Sequence, residues 1–228
     1  MKRRLSTIFD DLFPDSLPEF AAIAHVWPDH VVVQMLTLVW DAFDRVRALP
    51  RFDELDFTKD YAQLERSLTD LHAIQVTLLF AQSTSDFESF VPHHEAWEFE
   101  NLTQPSARPP SCEIGFVFRA NPRIRWSVEA KVLQSPTNTH RYVDDLNKYL
   151  EGTGSPFSTQ AALGAYLVSG KPDDVFAKLA QVLRQQIRPH AAFRERPHRV
   201  SQHQRDKLKL PTSTPSHFIC HHLIFALT

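Results

Sequence analysis

A carboxylate and an amine interrupt an otherwise apolar segment near the middle of the chain. Glu129 and Lys131 lie in the sequence WSVEAKVL, residues 126–133, which otherwise has the character of a β-strand. Side chains two positions apart on a strand share a face, so both charged groups point the same way. Burying such charges is costly unless they pair with each other or bind something. The segment is therefore a candidate binding or catalytic site, and an ion pair at the edge of a sheet is the alternative.

A second acid opens the strand that precedes this segment. Glu113 begins the sequence EIGFVF, whose alternating apolar residues are typical of a half-buried strand. Asn121-Pro122 marks a turn between the two strands. An antiparallel hairpin would bring Glu113 into the neighbourhood of Glu129, so two carboxylates and one amine are expected together.

This arrangement resembles the PD-(D/E)XK nuclease superfamily, which has the restriction-endonuclease-like fold. The signature of that family is an acid opening one strand and an acid-x-Lys motif on the next, here Glu113 and Glu129-Ala130-Lys131. The usual Pro-Asp dipeptide is Cys112-Glu113 in this chain, and a Glu side chain reaches farther than an Asp side chain. The order of elements predicted over residues 58–187, α-β-β-β-α-β, is also the order of the family core.

The resemblance implies hydrolysis of phosphodiester bonds, with DNA as the first expected substrate and Mg²⁺ or Mn²⁺ as the cofactor. It makes Glu113, Glu129 and Lys131 the candidate catalytic residues, with the two acids as metal ligands and Lys131 stabilising charge in the transition state. Oxygen ligands without a thiolate suit these cations better than zinc. The family often places another acid on the helix before the sheet, which makes Glu65 a candidate third ligand; an exposed helix glutamate is the alternative. A defence or mobile-element system is the implied context.

The patterns predict an α/β (α+β) protein with a restriction-endonuclease-like mixed central sheet flanked by helices. A helical extension is expected over residues 1–57 and the nuclease-like domain over residues 58–228. Residues 188–210 are expected to be irregular. The predicted helices span 15–49, 58–80 (with Thr58 as N-cap), 140–150 and 171–187, and the predicted strands span 87–97, 113–118, 126–133, 165–168 and 218–225. The first two helices each have an apolar stripe at helical spacing. These stripes are Val31, Met35, Leu38, Val39, Ala42 and Val46, and Tyr61, Leu64, Leu68, Leu71, Ile74 and Leu78.

The net charge of −2 conceals an asymmetry along the chain. Residues 10–65 hold twelve acids against four Arg or Lys residues, whereas residues 184–209 hold eight Arg or Lys residues against two acids. Such asymmetry suggests a face that binds a polyanion, although a solvated tail would have the same composition. The candidate nucleic-acid-binding residues are Arg194, Arg196, Arg199 and Arg205.

The remaining composition favours a cytoplasmic protein. The two cysteines, Cys112 and Cys220, form no CxxC pair, which argues against structural zinc and against a disulfide framework. The basic N-terminal sequence MKRRLSTIFDDLF is followed by no apolar signal-peptide core, and no apolar run reaches the length of a membrane span, so no membrane partner is expected. The expected partner is nucleic acid, with a homo-oligomer or a protein partner bound through the apolar N-terminal helices as a further expectation. The competing function is a non-cleaving nucleic-acid-binding or assembly subunit with the same fold.

Overall fold

The computed structural model describes most of the chain from residue 27 to residue 227. Residues 1–26, 51, 55, 58–59, 84–86, 88, 98–110, 123, 156–157, 207–214 and 228 lie outside the described part. The helices are α1 (Asp29–Arg47), α2 (Tyr61–Gln82), α3 (His140–Leu150) and α4 (Pro172–Leu183). The strands are β1 (Phe90–Trp97), β2 (Ser111–Phe118), β3 (Arg125–Leu133), β4 (Gln160–Leu167), β5 (Arg188–Pro189), β6 (His198–Gln204) and β7 (His217–Ala226). Short 3₁₀ turns occur at Phe52–Glu54 and Ala191–Phe193.

The seven strands form one mixed sheet in the order β1-β2-β3-β4-β7-β6-β5. Strand β4 is parallel to both of its neighbours, β3 and β7, while the other neighbouring pairs are antiparallel. The connections on either side of β4 carry α3 and α4, as parallel pairing requires a crossover. The prediction of a mixed α/β protein with a helix-flanked central sheet is confirmed at this level.

Each face of the sheet has its own hydrophobic core. One face packs against α1 and α2 through β-strand residues that include Trp126, Tyr166 and Phe225. The opposite face packs against α3 and α4 through residues that include Leu163 and Phe218. Since side chains alternate between faces, Val128 and Ala130 belong to the first core, and Glu129 and Lys131 point away from it.

Helix α1 is part of the first core. All six residues that the sequence predicts as its apolar stripe are buried: Val31, Met35, Leu38, Val39, Ala42 and Val46. Asp29 in its first turn and Arg45 and Arg47 in its last turn complement the helix dipole. The predicted part of this helix before residue 27 lies outside the described residues, as do 28 of the 57 residues of the expected extension.

Helix α2 differs from its prediction at its start and along its second half. The helix begins at Tyr61, and Asp60 is the N-cap, accepting a hydrogen bond from the Ala62 amide at 3.0 Å. Ile74 and Leu78, predicted to continue the apolar stripe, are 51% and 46% exposed. The buried face runs instead through a polar residue, His72, whose ring bonds the Tyr166 hydroxyl at 2.9 Å and the Val39 carbonyl oxygen at 2.7 Å. A stripe traced through apolar residues alone therefore coincides with the buried face in the first half of the helix and departs from it in the second half.

The prediction that residues 188–210 are irregular is wrong. This segment contains β5 and β6, and β6 pairs along its length with β7, from His198↔Leu223 to Gln204↔His217. Its sequence, HRVSQHQ, is too polar to suggest a strand, and pairing with the apolar strand β7 overrides that local preference. Strand β4 is also longer than predicted, because Gln160 to Gly164 continue the pairing with β7.

Candidate active site

Strands β2 and β3 separate in the middle of the sheet. They pair from Val117↔Arg125 to Ile114↔Val128, and β2 beyond that point remains paired with β1. Strand β3 continues alongside β4 as far as Leu133↔Leu167. The separation leaves backbone groups of β3 without a strand partner on one side, and polar side chains occupy the gap.

Two glutamates take the place of the missing strand. The Ala130 amide donates to Glu113 Oε2 at 3.2 Å, and the Val132 amide donates to Glu65 Oε2 at 3.0 Å. Glu113 comes from the diverging start of β2, whereas Glu65 reaches in from α2. The sheet geometry thereby fixes both carboxylates, since buried backbone amides require acceptors.

The Lys131 ammonium lies among four carboxylates, which together form the acid cluster. Its Nζ is 2.9 Å from Glu113 Oε1, 3.2 Å from Asp145 Oδ2, 3.6 Å from Glu65 Oε1 and 3.8 Å from Glu129 Oε2. The side chains of the cluster are only 3% to 24% exposed. Four acids from α2, β2, β3 and α3 therefore meet at one cation.

The charges of the acid cluster act strongly on one another. Burial, followed by the adjacent Glu113 carboxyl group, raises the pKa of Glu129 well above its ordinary value. Burial alone would lower the pKa of Lys131, but the negative charges of Glu113, Glu129 and Asp145 outweigh it and raise the pKa. Lys131 thus remains charged at neutral pH, while Glu129 tends to retain a proton beside Glu113.

Two further cations balance the outer side of the cluster. Arg141 Nη2 is 3.1 Å from Glu65 Oε1, and Lys148 Nζ is 2.5 Å from Asp145 Oδ1. Both belong to α3, and Lys148 is 62% exposed while its partner Asp145 is 3% exposed. Lys148 is therefore a surface cation attached to a buried acid.

The donor set of the cluster fits a hard divalent cation. Carboxylate oxygens are the ligands that Mg²⁺ and Mn²⁺ prefer. Burial and then the Glu113 carboxyl group raise the pKa of Glu129, and a bound cation would stabilise the charged form that both disfavour. Asp145 Oδ2 is buried without a hydrogen-bond donor, although it lies near the charged Lys131. As the described residues stand, no three His, Cys, Asp or Glu side chains are grouped as a metal site. The ligands and the Lys131 ammonium would need to rearrange around a bound ion.

All four residues predicted for the site come together, and three further residues join them. Glu65, Glu113, Glu129 and Lys131 share the acid cluster, although strands β1 and β2 separate the helix of Glu65 from the strand of Glu129 in sequence. Sequence reasoning missed Arg141, Asp145 and Lys148. Their spacing of four and then three residues places them on one face of α3, and this signal could have identified them.

The four candidate phosphate-binding arginines lie elsewhere and differ in their surroundings. Arg196 pairs with Asp44 through two hydrogen bonds, and Arg199 pairs with Asp173 at 2.7 Å. Arg205 is 3% exposed and donates to three backbone carbonyl oxygens, so it is not available to a phosphate. Arg194 is exposed. Because β6 is three strands from β3, the strand that carries Arg199 lies roughly 14 Å across the sheet from the strand that carries Glu129 and Lys131.

Two clefts adjoin the acid cluster. The α3 cavity, of about 420 Å³, borders Glu129, Asp145, Lys148, Tyr149, Thr153 and Ser111. The α2 cleft, of about 250 Å³, borders Glu65, Glu113, Arg66, Asp70, His94 and Glu95. The cluster is thus accessible from both sides.

Comparison of the chain with protein-family models, with curated proteins and with solved structures finds no match. Among the described helices, none combines the length and apolarity needed to cross a membrane. Inference about function therefore rests on the acid cluster and its surroundings.

Proposed function

We propose that the protein is a metal-dependent nuclease that hydrolyses phosphodiester bonds in DNA. The observation that carries the proposal is the convergence of Glu65, Glu113 and Glu129 on Lys131 in the gap between β2 and β3. The order of elements from α2 to β4 and the acid-x-Lys motif on β3 are those of the PD-(D/E)XK superfamily, which supports a restriction-endonuclease-like core.

The residues of the cluster have separate roles in this proposal. Glu113 and Glu129, with Glu65, would hold Mg²⁺ or Mn²⁺. When bound, the ion neutralises charge on the scissile phosphate and lowers the pKa of water. Lys131 would stabilise the negative charge that grows on the phosphoryl oxygens in the transition state. Asp145, 3.2 Å from the ammonium, positions Lys131 for that task.

The burial of these groups favours catalysis. A charge held in a partly desolvated site interacts more strongly with a developing charge than it would in water. Lys131 also donates to the Ala130 carbonyl oxygen at 3.0 Å, which limits the positions its ammonium can adopt. The site therefore holds its cationic group close to where the phosphate would bind.

The test is hydrolysis of plasmid DNA and of bis(p-nitrophenyl) phosphate by the purified protein. Activity is expected with Mg²⁺ or Mn²⁺, and none with EDTA. Lys131→Ala and Glu129→Gln should each reduce the rate by about a hundredfold or more. The matched controls are Lys171→Ala and Glu195→Gln, which change exposed residues away from the cluster. Equal rates for Lys131→Ala and the wild type would contradict the proposal.

A non-cleaving binding protein is the second candidate, and one observation favours it. Lys131, Arg141, Lys148 and two backbone amides already satisfy most of the acid cluster. A paired network of this kind can be purely structural. Oligonucleotide binding without hydrolysis under any of the metal conditions would support this alternative.

A further inference from the structure

We infer that the α3 cavity binds one nucleoside of an unpaired DNA strand, next to the phosphate that is cut. This inference rests on the proposed function and adds the substrate class. It follows from the position of the cavity, the rigidity of its wall and the chemistry of its lining.

The position of the cavity connects it directly to the acid cluster. Glu129 and Asp145 form one side of it, while Glu65 and Glu113 face the α2 cleft on the other side. A scissile phosphate at the cluster would place its neighbouring nucleoside at the mouth of the α3 cavity. The α2 cleft is smaller and is bordered by four acids, Glu65, Asp70, Glu95 and Glu113, which makes it a poorer place for a polyanion.

One wall of the cavity is the loop after α3, and two sets of hydrogen bonds hold this loop in place. The Thr153 and Gly154 amides and the Thr153 hydroxyl all donate to the Lys148 carbonyl oxygen, at 3.0 to 3.2 Å. Behind the loop, the buried Arg205 guanidinium donates to the carbonyl oxygens of Tyr149, Ser155 and Ser158.

One residue of the loop is held in an unfavourable backbone conformation. Ser155 has φ of 44°, a region that non-glycine residues rarely adopt, and its hydroxyl bonds Ser127 Oγ at 2.7 Å within the sheet. Strained backbone persists where surrounding contacts fix it, and such positions concentrate at binding sites. The cavity is therefore formed before any ligand arrives, which lowers the entropic cost of binding.

The lining of the cavity fits a nucleoside with a phosphate at its rim. The Tyr149 side chain, 2% exposed, gives an apolar wall, and Ser111 and Thr153 bring hydroxyl groups. Lys148, at the rim, offers its ammonium to the next phosphate of the strand while Asp145 anchors it. At about 420 Å³ the cavity lies in the range of small-ligand sites and has room for one nucleoside, not for a base pair with both backbones.

The size of the cavity selects against a paired substrate. In a duplex, both nucleosides beside a phosphate are stacked and paired, and placing one in a pocket requires unstacking and unpairing it. An unpaired strand avoids most of that free-energy cost. The enzyme should therefore prefer single-stranded DNA, or the unpaired parts of a duplex, to intact double helix.

The experiment measures binding of a short fluorescein-labelled single strand, and of the same strand annealed to its complement, to the full chain in EDTA. The wild type should bind the single strand at least about tenfold more tightly than the duplex. Thr153→Trp and Ser111→Trp, which place a large ring in the cavity from the loop after α3 and from the start of β2, should each weaken single-strand binding by about tenfold or more. Thr77→Trp, at an exposed position of α2, is the matched control and should bind as the wild type does. Circular dichroism and thermal unfolding identify any variant that fails to fold.

The outcomes separate the inference from the proposed function. Single-strand binding that both cavity-filling variants retain, or equal wild-type affinity for the two DNA forms, would overturn the nucleoside assignment. Hydrolysis of bis(p-nitrophenyl) phosphate by the wild type reports on the proposed function alone, because this substrate contains no nucleoside. Loss of single-strand binding on filling the cavity, without hydrolysis by the wild type, would keep the cavity assignment and reject the nuclease.

Discussion

The Lys131 side chain determines whether the acid cluster is stable without a bound cation. Its ammonium is the only group near all four carboxylates among the described residues, and its side chain is 12% exposed. Removing one partner from a buried charge network leaves the other charges uncompensated, which is more costly than the net contribution of the intact network. The role of Lys131 in stability can therefore be measured separately from the catalytic role that we propose for it.

Lys131→Met should lower the free energy of unfolding at pH 7 by about 3–5 kcal/mol, since a near-isosteric apolar side chain leaves the carboxylates to repel one another. Added Mg²⁺ should restore part of the loss, because the ion would replace the missing positive charge. Urea unfolding with and without Mg²⁺ measures both effects, and Lys171→Met is the exposed control. A variant as stable as the wild type, with no response to Mg²⁺, would show that the cluster neither needs nor binds a cation.

Arg205→Ala should destabilise the protein by about 3–5 kcal/mol, because removal of the buried guanidinium leaves its three carbonyl acceptors without a donor. Arg194→Ala, at an exposed position, should change stability by less than about 0.5 kcal/mol. Thermal unfolding of the two variants makes the comparison. Similar small effects would return Arg205 to the set of candidate phosphate contacts.

The sequence predicted the members of the candidate site that a strand pattern reveals, the family resemblance added Glu65 on α2, and the residues that α3 contributes were missed. Glu113, Glu129 and Lys131 stand out because each interrupts or opens an apolar strand. Asp145 and Lys148 lie on an amphipathic helix, where charged residues are the rule and attract no notice. Arg205 was misread because a basic residue in a polar segment gives no sign that tertiary contacts will bury it.

At the scale of elements, the apolar strands were predictable and the polar edge was not. The boundaries of α3 agree fully with the prediction, and those of β2, β3 and β7 agree within two residues. Strand β6 could not be predicted because its stability comes from pairing with β7, and contacts distant in sequence leave no local pattern. The face of α2 was mispredicted for a related reason, since only the fold shows that His72 has buried partners.

The edge formed by β5, β6 and the turn between them carries three candidate phosphate contacts, Arg194, Arg196 and Arg199, and a further arginine, Arg188. Arg188 and Arg194 are exposed and have no carboxylate partner among the described residues, whereas Arg196 and Arg199 are paired with Asp44 and Asp173. An arginine that stays paired with a carboxylate neutralises less of a phosphate charge, so fewer counterions leave the DNA when the two meet. The two pairs of arginines should therefore differ in their effect on DNA binding.

Replacing Arg188 and Arg194 with Ala should make the plot of log affinity against log salt shallower by about 1.4 for single-stranded DNA, from about 0.7 per phosphate contact. Replacing Arg196 and Arg199 should change the slope less. Fluorescence anisotropy across a series of salt concentrations measures both double variants. A larger change for the second pair would mean that DNA displaces Asp44 and Asp173 as partners, and unchanged slopes would make the edge a solvated surface.

Across the whole molecule, buried histidines link the helical layer to the sheet. Trp40 Nε1 on α1 donates to His198 Nδ1, which places the proton of that ring on Nε2, where it is donated to His221 Nδ1. The proton of His221 is then on Nε2 and is donated to Gln160 Oε1. This chain of hydrogen bonds requires both rings to be neutral.

The free energy of unfolding should therefore begin to fall at mildly acidic pH. Burial lowers the pKa of His72 and His203 to about 4 and of His221 and His222 to about 3, and it lowers the pKa of His198 as well. The unfolded chain binds protons at these groups near pH 6.5, whereas the folded chain does not. Stability is thus fully present above about pH 6.5 and falls below it, with each histidine contributing a slope of up to about 1.4 kcal/mol per pH unit.

Urea unfolding between pH 7.5 and pH 4.5 measures the dependence of stability on pH. His221→Gln should reduce the slope below pH 6.5, because it removes one group that the unfolded chain protonates. His94→Gln, at an exposed position, is the control. A stability that stays constant down to pH 5 would mean that the buried rings accept protons without loss of structure.

The separation of β2 from β3 also supplies the site with its own spectroscopic reporters. The amide protons of Ala130 and Val132 are donated to the carboxylates of Glu113 and Glu65, not to a neighbouring strand. In ¹H–¹⁵N spectra, these two resonances should shift when an ion draws the carboxylates away, while the amides between β4 and β7 stay in place. Titration with diamagnetic Mg²⁺ would then follow occupancy of the cluster at single backbone positions, in the intact chain and without any substrate.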